Sequence, residues 1–311
     1  VTEYTLLSSF AMADSSGWST VIRACIPVPV LLLLCPLLWL AFRRTWLELD
    51  REAYQWREEA LRKGTTDLRP FVAMVIAAFV LTGQQYYGKV HFYRAYLLPM
   101  VTQCVQAHLS LKLAFWQELY EFGWWGFSCV VGYVVAPFLL WKILFREDSL
   151  LDFGLRPSSF FRHVWIYLAC LAIVLPAMWV VSSQPDFTIY YPFYQQSSRS
   201  WFDFLAWETI YFVQFFSLEL FFRGWWLGAL RKSMGSTAIF AVAVPYCMIH
   251  YGKPYLEAMG AIVAGVALGS LSMQTKSIYQ GFLVHITVAG LMDWLALHHR
   301  NALPTVFLPP S

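Results

Sequence analysis

Charge is scarce in this sequence. Asp, Glu, Lys and Arg make up 13% of the 311 residues, against about 25% in an ordinary soluble domain. A chain this poor in charge and 59% hydrophobic cannot cover itself with polar surface, so water is the wrong solvent for much of it, and disorder is excluded. A surplus of one sign is lacking too: the net charge of +3 is too small to imply a nucleic-acid partner. The six cysteines (Cys25, Cys35, Cys104, Cys129, Cys170, Cys247) form no CxxC pair, and all but Cys104 lie in apolar runs. They read as small buried hydrophobes, which excludes a disulfide-stapled scaffold and a cysteine metal cluster. Neither HExxH nor an internal repeat occurs.

Apolar runs and aromatics are abundant. The aromatic content is 18%, with 15 Trp, as lipid-facing and interfacial positions would produce. A bilayer-crossing helix takes about 20 mostly apolar residues, and eight stretches qualify: 24–42, 70–88, 122–141, 163–182, 204–230, 236–251, 258–273 and 278–297. The expected fold class is therefore all-α, a polytopic membrane helix bundle of about eight transmembrane helices. The first run is followed by Arg43 and Arg44 with no small-residue cleavage site behind it, which reads as a retained helix and not a signal peptide. With both termini outside, the inner loops hold most of the 22 Lys and Arg, as the positive-inside bias requires.

Two stretches stand apart from the spans. Residues 43–70 place Trp46, Leu49, Ala53 and Trp56 at helical spacing among mixed charges, the pattern of an amphipathic helix on the cytoplasmic interface or of a solvated linker helix. Residues 89–119 are apolar but interrupted by Lys89, Arg94, His108 and Lys112, and are expected at the interface or as a re-entrant piece. The expected organisation is N-terminal membrane helices over 1–145, a core helix bundle over 146–297, and a short tail over 298–311. Gly265 and Gly269 share a GxxxG spacing, which lets helix backbones approach closely in lipid.

Ionisable residues inside hydrocarbon cost about 2.5–3.5 kcal/mol each on insertion scales, and they concentrate in the C-terminal half: Glu208, Glu219 and Arg223 in the fifth run, His250 at the end of the sixth, His285 and Asp293 in the eighth. Glu219 and Arg223 are four apart and share a helix face, as a neutralising ion pair or as part of a reactive site. Glu208, eleven residues earlier, reads as an interfacial anchor. Two histidines and a carboxylate from three helices suggest a polar cavity in which a carboxylate could take a proton from water. The same His250, His285 and Glu219 could in principle ligate Zn²⁺, but their scatter over three helices, without HExxH, argues for no metal and no cofactor.

These residues resemble the motifs of the CAAX protease and bacteriocin-processing family of intramembrane glutamate proteases. The family's EExxxR motif is matched by Leu218-Glu219-Leu220-Phe221-Phe222-Arg223 followed by Gly224. Its FxxxH is matched by Tyr246-Cys247-Met248-Ile249-His250, and its HxxxN by His285-Ile286-Thr287-Val288-Ala289. Phe153-Gly154-Leu155-Arg156 is similar to the family's LGLR before the core. The resemblance covers roughly 146–297. It implies that the first Glu of the pair and the second-motif His activate a water, and that the third-motif His and Asn stabilise the oxyanion. Carried over residue by residue, His250 and His285 match, Glu219 matches the second Glu and Arg223 the Arg. Leu218 stands in place of the first Glu, and Ala289 in place of the Asn. For Glu219 to serve as base, the helix must be rotated or locally distorted, because residues 218 and 219 point about 100° apart. By these spans Glu219 and His285 lie deeper than His250, so a shared site also requires the sixth element to be short, tilted or shifted.

The expected activity is endopeptidase cleavage of a membrane-anchored or lipidated protein substrate, with Glu219, His250, His285 and Arg223 as the catalytic set. The alternative is a family member without catalysis that works as a binding, chaperone or assembly partner of other membrane proteins. A proton-relaying transporter is a third reading, against which stands the absence of repeated halves. The expected location is a membrane, and specifically a bacterial inner membrane.

Overall fold

The computed structural model describes residues 21, 25, 27–108, 113–182, 187–253 and 255–310. The first twenty residues, parts of the expected first span (24 and 26) and interfacial stretch (109–112), and the last residue of the tail lie outside the described residues. Helices account for the architecture: α1 (Pro27–Arg62), α2 (Arg69–Tyr87), α3 (Leu98–His108), α4 (Leu113–Cys129), α5 (Ala136–Leu144), α6 (Val164–Ser182), α7 (Trp201–Glu219), α8 (Leu227–Met234), α9 (Thr237–Met248), α10 (Tyr255–Thr275) and α11 (Tyr279–His299). Among the described residues there is no strand. Three π-helical segments, Tyr93–Leu97, Val130–Val135 and Leu220–Trp226, run directly into α3, α5 and α8. The all-α membrane bundle expected from composition is what the chain forms.

Among the described residues, helix length and composition do not confirm the expected eight spans. Among the described residues, five helical stretches are long and apolar enough to cross a bilayer: Pro27–Arg62, Ala114–Leu144, Trp201–Met234, Glu257–Thr275 and Tyr279–His299. Arg69–Tyr87 and Val90–Cys104 form a pair bent by 51°, the geometry of a broken span or of a re-entrant loop. The bend falls at Gly88 and Lys89, so much of the stretch expected at the interface is the second arm of this pair. α9, at 12 residues, is shorter than a bilayer requires. α9 carries Pro245 inside it and gives way to a turn in which Gly252 takes φ +93°, a conformation glycine adopts without penalty.

α1 does not stop where the charges begin. Its first half exposes Leu32 and Leu33 (each 68%) as a lipid-facing surface requires, and the helix continues through Arg43 and Arg44 to Arg62. The stripe of the 43–70 stretch is covered by protein: Leu49 and Ala53 are buried, and α1 packs on α8 and α10. The Trp46 indole donates to Ser270 Oγ at 2.9 Å. Asp50 accepts from Ser236 N at 2.7 Å, satisfying an amide at the start of α9 that has no intrahelical partner.

The C-terminal bundle is organised around α7 and α8. Ser200 caps α7, its Oγ accepting from Asp203 N at 3.1 Å, and Arg199 pairs with Asp203 at 2.6 Å. Between α7 and α8 the π segment lets the chain add a residue to a turn, so the two helices need not share one rotational phase. The carbonyl of Arg223, inside that segment, accepts from Ser272 Oγ of α10 at 3.1 Å. The Phe153–Arg156 loop wedges against the same segment. A Cβ on Gly224 would lie 2.6 Å from the Phe153 carbonyl oxygen, so only glycine permits the approach. Gly154, at φ +81°, turns its own carbonyl to accept from Ile278 N at 3.2 Å, which ties the loop to the start of α11.

Candidate active site

Glu219 is the last regular residue of α7, immediately before the π segment. Its neighbour Leu218 is 5% exposed and belongs to the main apolar core. Glu219, one position on, is 1% exposed and faces α11. Room for its carboxylate comes from Gly281: a Cβ there would stand 2.6 Å from Glu219 Oε2. One turn along α11 from this gap, His285 brings Nδ1 to 3.1 Å from Glu219 Oε1. Arg223, also buried, brings Nη1 to 3.2 Å from the same oxygen. A buried carboxylate so placed is neutralised by the Arg223 guanidinium and faced by the imidazole, which offsets much of the desolvation cost that a lone charge would carry. The contacts are close enough for ion pairing but not aligned as hydrogen bonds. Glu219 Oε1, Arg223 Nη1 and His285 Nδ1 each keep unmet hydrogen-bonding capacity.

His285 is fixed on both faces of its chemistry. Its ring stacks on Phe215 of α7, one turn before Glu219, at 5.1 Å between centroids. With Nδ1 turned to a carboxylate, the proton belongs on Nδ1, and Nε2 is left as an acceptor. Nε2 meets Tyr246 Oη of α9 at 3.2 Å. Tyr246 is 2% exposed, and the Arg223 guanidinium carbon lies 3.7 Å from its ring centroid, a cation–π contact on the ring's negative face.

His250 sits on the far side of Tyr246. Because α9 ends at Met248, the His250 amide bonds to Cys247 O at 3.0 Å, leaving the Tyr246 carbonyl to accept from His250 Nδ1 at 2.9 Å. The ring then packs edge-on to Tyr246 with centroids 4.8 Å apart, and its Nε2 is the free nitrogen. Of the four expected site residues, Glu219 thus meets both Arg223 and His285. His250 reaches them through Tyr246, and no contact between His250 and Glu219 occurs among the described residues. α9 ends two residues before His250. Among the described residues no three His, Cys, Asp or Glu side chains converge as metal ligands.

Residues 200–291 match the family model described as type II CAAX prenyl endopeptidase Rce1-like. This segment is similar to that family. The match runs from the cap of α7 through most of α11 and takes in all three motifs. Neither the curated proteins nor the solved structures gave a match to the chain. The Rce1-like segment and the apolar helices around it support a membrane-embedded, protease-like protein, set in lipid and suited to membrane protein substrates.

Two positions of the Rce1-like segment carry no chemistry. Leu218 is spent on core packing, and Ala289 is 3% exposed in an aromatic cluster with Tyr194, Trp207 and Tyr211. Glu208 is not an interfacial anchor: it is 5% exposed and faces the buried Asp293 of α11, whose Oδ2 accepts from the Trp207 indole at 2.5 Å. This acidic pair lies toward the opposite end of α7 from Glu219. Two contributors were not singled out from sequence. Tyr246 was visible as the aromatic of the second motif, with a hydroxyl that Phe lacks. Gly281 was visible one turn before His285, but nothing in sequence says which side chain fills the space a glycine leaves.

Proposed function

We propose that the protein is an intramembrane endopeptidase that hydrolyses a peptide bond of a membrane-anchored or lipidated protein. The observation that carries this reading is the buried couple of Glu219 Oε1 and His285 Nδ1 at 3.1 Å, which supports His285 Nε2 as the base. A water on Nε2 gives up a proton to the imidazole while its oxygen bonds to the scissile carbonyl carbon. Glu219 holds the ring in the right tautomer and stabilises the imidazolium, and Arg223 holds Glu219. When the carbon–nitrogen bond breaks, the imidazolium returns its proton to the leaving amine. His250, with Nδ1 tied to backbone, offers Nε2 to the same water or to the substrate. The bacterial inner membrane is the proposed site of action.

The test is cleavage of a membrane-anchored reporter in liposomes carrying the purified protein. Glu219→Gln and His285→Asn should each lower turnover by about 10³-fold or more, in line with removal of a triad member elsewhere. Wild-type turnover by both variants would end the proposal. A second reading has its own observation. Leu218 and Ala289, sealed in apolar packing, favour a non-catalytic partner of other membrane proteins, whose cellular phenotype would survive both substitutions.

A further inference from the structure

Hydrolysis of an amide needs a donor for the oxygen that becomes negative as water adds to the carbonyl, and such a donor must be fixed in place before the reaction. At position 289, one turn beyond His285, the chain has only a methyl group. The methyl is enclosed by Tyr194, Trp207 and Tyr211.

Tyr246 is placed differently. Its Oη is 3.2 Å from His285 Nε2, the nitrogen on which the attacking water must sit. The ring cannot swing away: Arg223 covers one face at 3.7 Å, Phe222 packs edge-on at 5.6 Å, and His250 packs at 4.8 Å. The backbone is held as well, because Tyr246 O accepts from His250 Nδ1. In the tautomer with the proton on Nδ1, the phenol donates to Nε2. Once a water takes that nitrogen as its acceptor, the O–H is released within one hydrogen-bond length of the attacked carbonyl.

We propose that the Tyr246 hydroxyl is the oxyanion donor of this centre, supplying the hydrogen bond that Ala289 cannot. No proton leaves the phenol: the water's proton goes to His285 Nε2 and later to the leaving amine, while Tyr246 O–H donates to the tetrahedral oxygen until the carbonyl reforms. This inference rests on the hydrolase reading above and adds a residue to it.

Tyr246→Phe removes one oxygen and keeps the ring that Arg223, Phe222 and His250 touch. The probe is a farnesylated CAAX-tailed reporter peptide co-reconstituted with the protein in liposomes. The expected result is a fall in kcat of about 10²–10³-fold, the usual consequence of deleting one oxyanion donor. KM and the thermal midpoint of the protein should stay at wild-type values. A peptide aldehyde, whose hydrate resembles the tetrahedral adduct, should lose a similar factor in affinity. Full turnover by Tyr246→Phe beside an inactive Glu219→Gln would overturn the donor role and leave the hydrolase reading standing. A loss seen only in KM or in thermal midpoint would make Tyr246 a structural residue and also overturn it. If wild type and Glu219→Gln cleave alike, or neither cleaves, the hydrolase reading falls and this proposal with it.

Discussion

Gly281→Ala is the sharpest probe of where the Glu219 carboxylate acts, because it adds one methyl group at one known place. The new Cβ would lie 2.6 Å from Glu219 Oε2 and 3.3 Å from its Cδ. Restoring ordinary van der Waals separation moves the carboxylate about 0.4–0.8 Å away from α11. That displacement is away from the helix bearing His285, so the 3.1 Å contact with Nδ1 stretches toward water-mediated distance. Misplacing a catalytic group by about 1 Å can cost about 10²-fold in rate, so turnover should fall by tens to about a hundredfold. Stability should move far less. Alanine in a helix interior is worth about 0.8–1 kcal/mol over glycine, which partly offsets an overpacking cost of about 1–3 kcal/mol. The assay is turnover of the liposome reporter beside the thermal midpoint of the same preparation. Undiminished turnover in a variant with an altered midpoint would show that chemistry does not depend on the carboxylate at this position.

Two further outcomes test the frame around the site. Asp148 lies in the loop after α5, where it accepts from Arg69 Nη2 at 3.1 Å and Nε at 3.2 Å and from the Trp141 indole at 3.1 Å; burial opposes its charge, but these donors hold its carboxyl below the ordinary carboxylate range. A carboxyl depressed by folding stabilises fully above its unfolded value near 4 and loses that contribution as pH falls through the folded value, so Asp148→Asn should cost about 1 kcal/mol at pH 7, and chemical denaturation should show the gap to wild type closing on acidification below pH 4; a gap that widens instead contradicts the linkage. Gly265→Leu should destabilise the bundle by about 1–3 kcal/mol, because even a Cβ at 265 meets Ala243 Cβ and Tyr246 Cδ1 at 3.1 Å; an unchanged thermal midpoint would mean that α9 and α10 are not tightly packed there.

What could be read from the sequence was set by composition and by short-range spacing. Apolar length identified a membrane bundle, and the four-residue interval identified the Glu219–Arg223 pair, because both depend only on local helix geometry. The three motif segments also fall within the stretch that is Rce1-like. Span number was less legible. A run of about 20 apolar residues reports the solvent a helix prefers, and α1 shows that the helix itself need not end where the charges begin. It carries Arg43 and Arg44 and continues as far as Arg62, because its lower stripe exchanges lipid for α8 and α10. The order of side chains within the site was not legible at all. Which imidazole meets Glu219 depends on Gly281 leaving space and on α9 ending at Met248, and these are facts of tertiary packing. The π segment after Glu219 had no signal in residue type beyond Gly224.

The placement of the side chains at 218 and 219 follows from that packing. In a straight α-helix, residues 218 and 219 project about 100° apart, so a side chain at 218 facing the reactive cavity would leave 219 turned aside. Here the reverse holds: Leu218 fills the apolar core with Phe221, Phe222 and Tyr246, while Glu219 enters the gap over Gly281. The π segment is what makes this orientation compatible with the rest of the bundle, since α8 can keep Leu227 and Leu230 in the core without dictating the phase of α7. Arg223 sits inside that segment and spans both arrangements, one amino group on Glu219 and its plane on Tyr246. A single guanidinium thus fixes both the carboxylate that orients His285 and the phenol that faces its other nitrogen. With Leu218 in the apolar core, a carboxylate, an imidazole and a hydroxyl are still joined in series through contacts of 3.1 and 3.2 Å, and the proposed hydrolysis rests on that series.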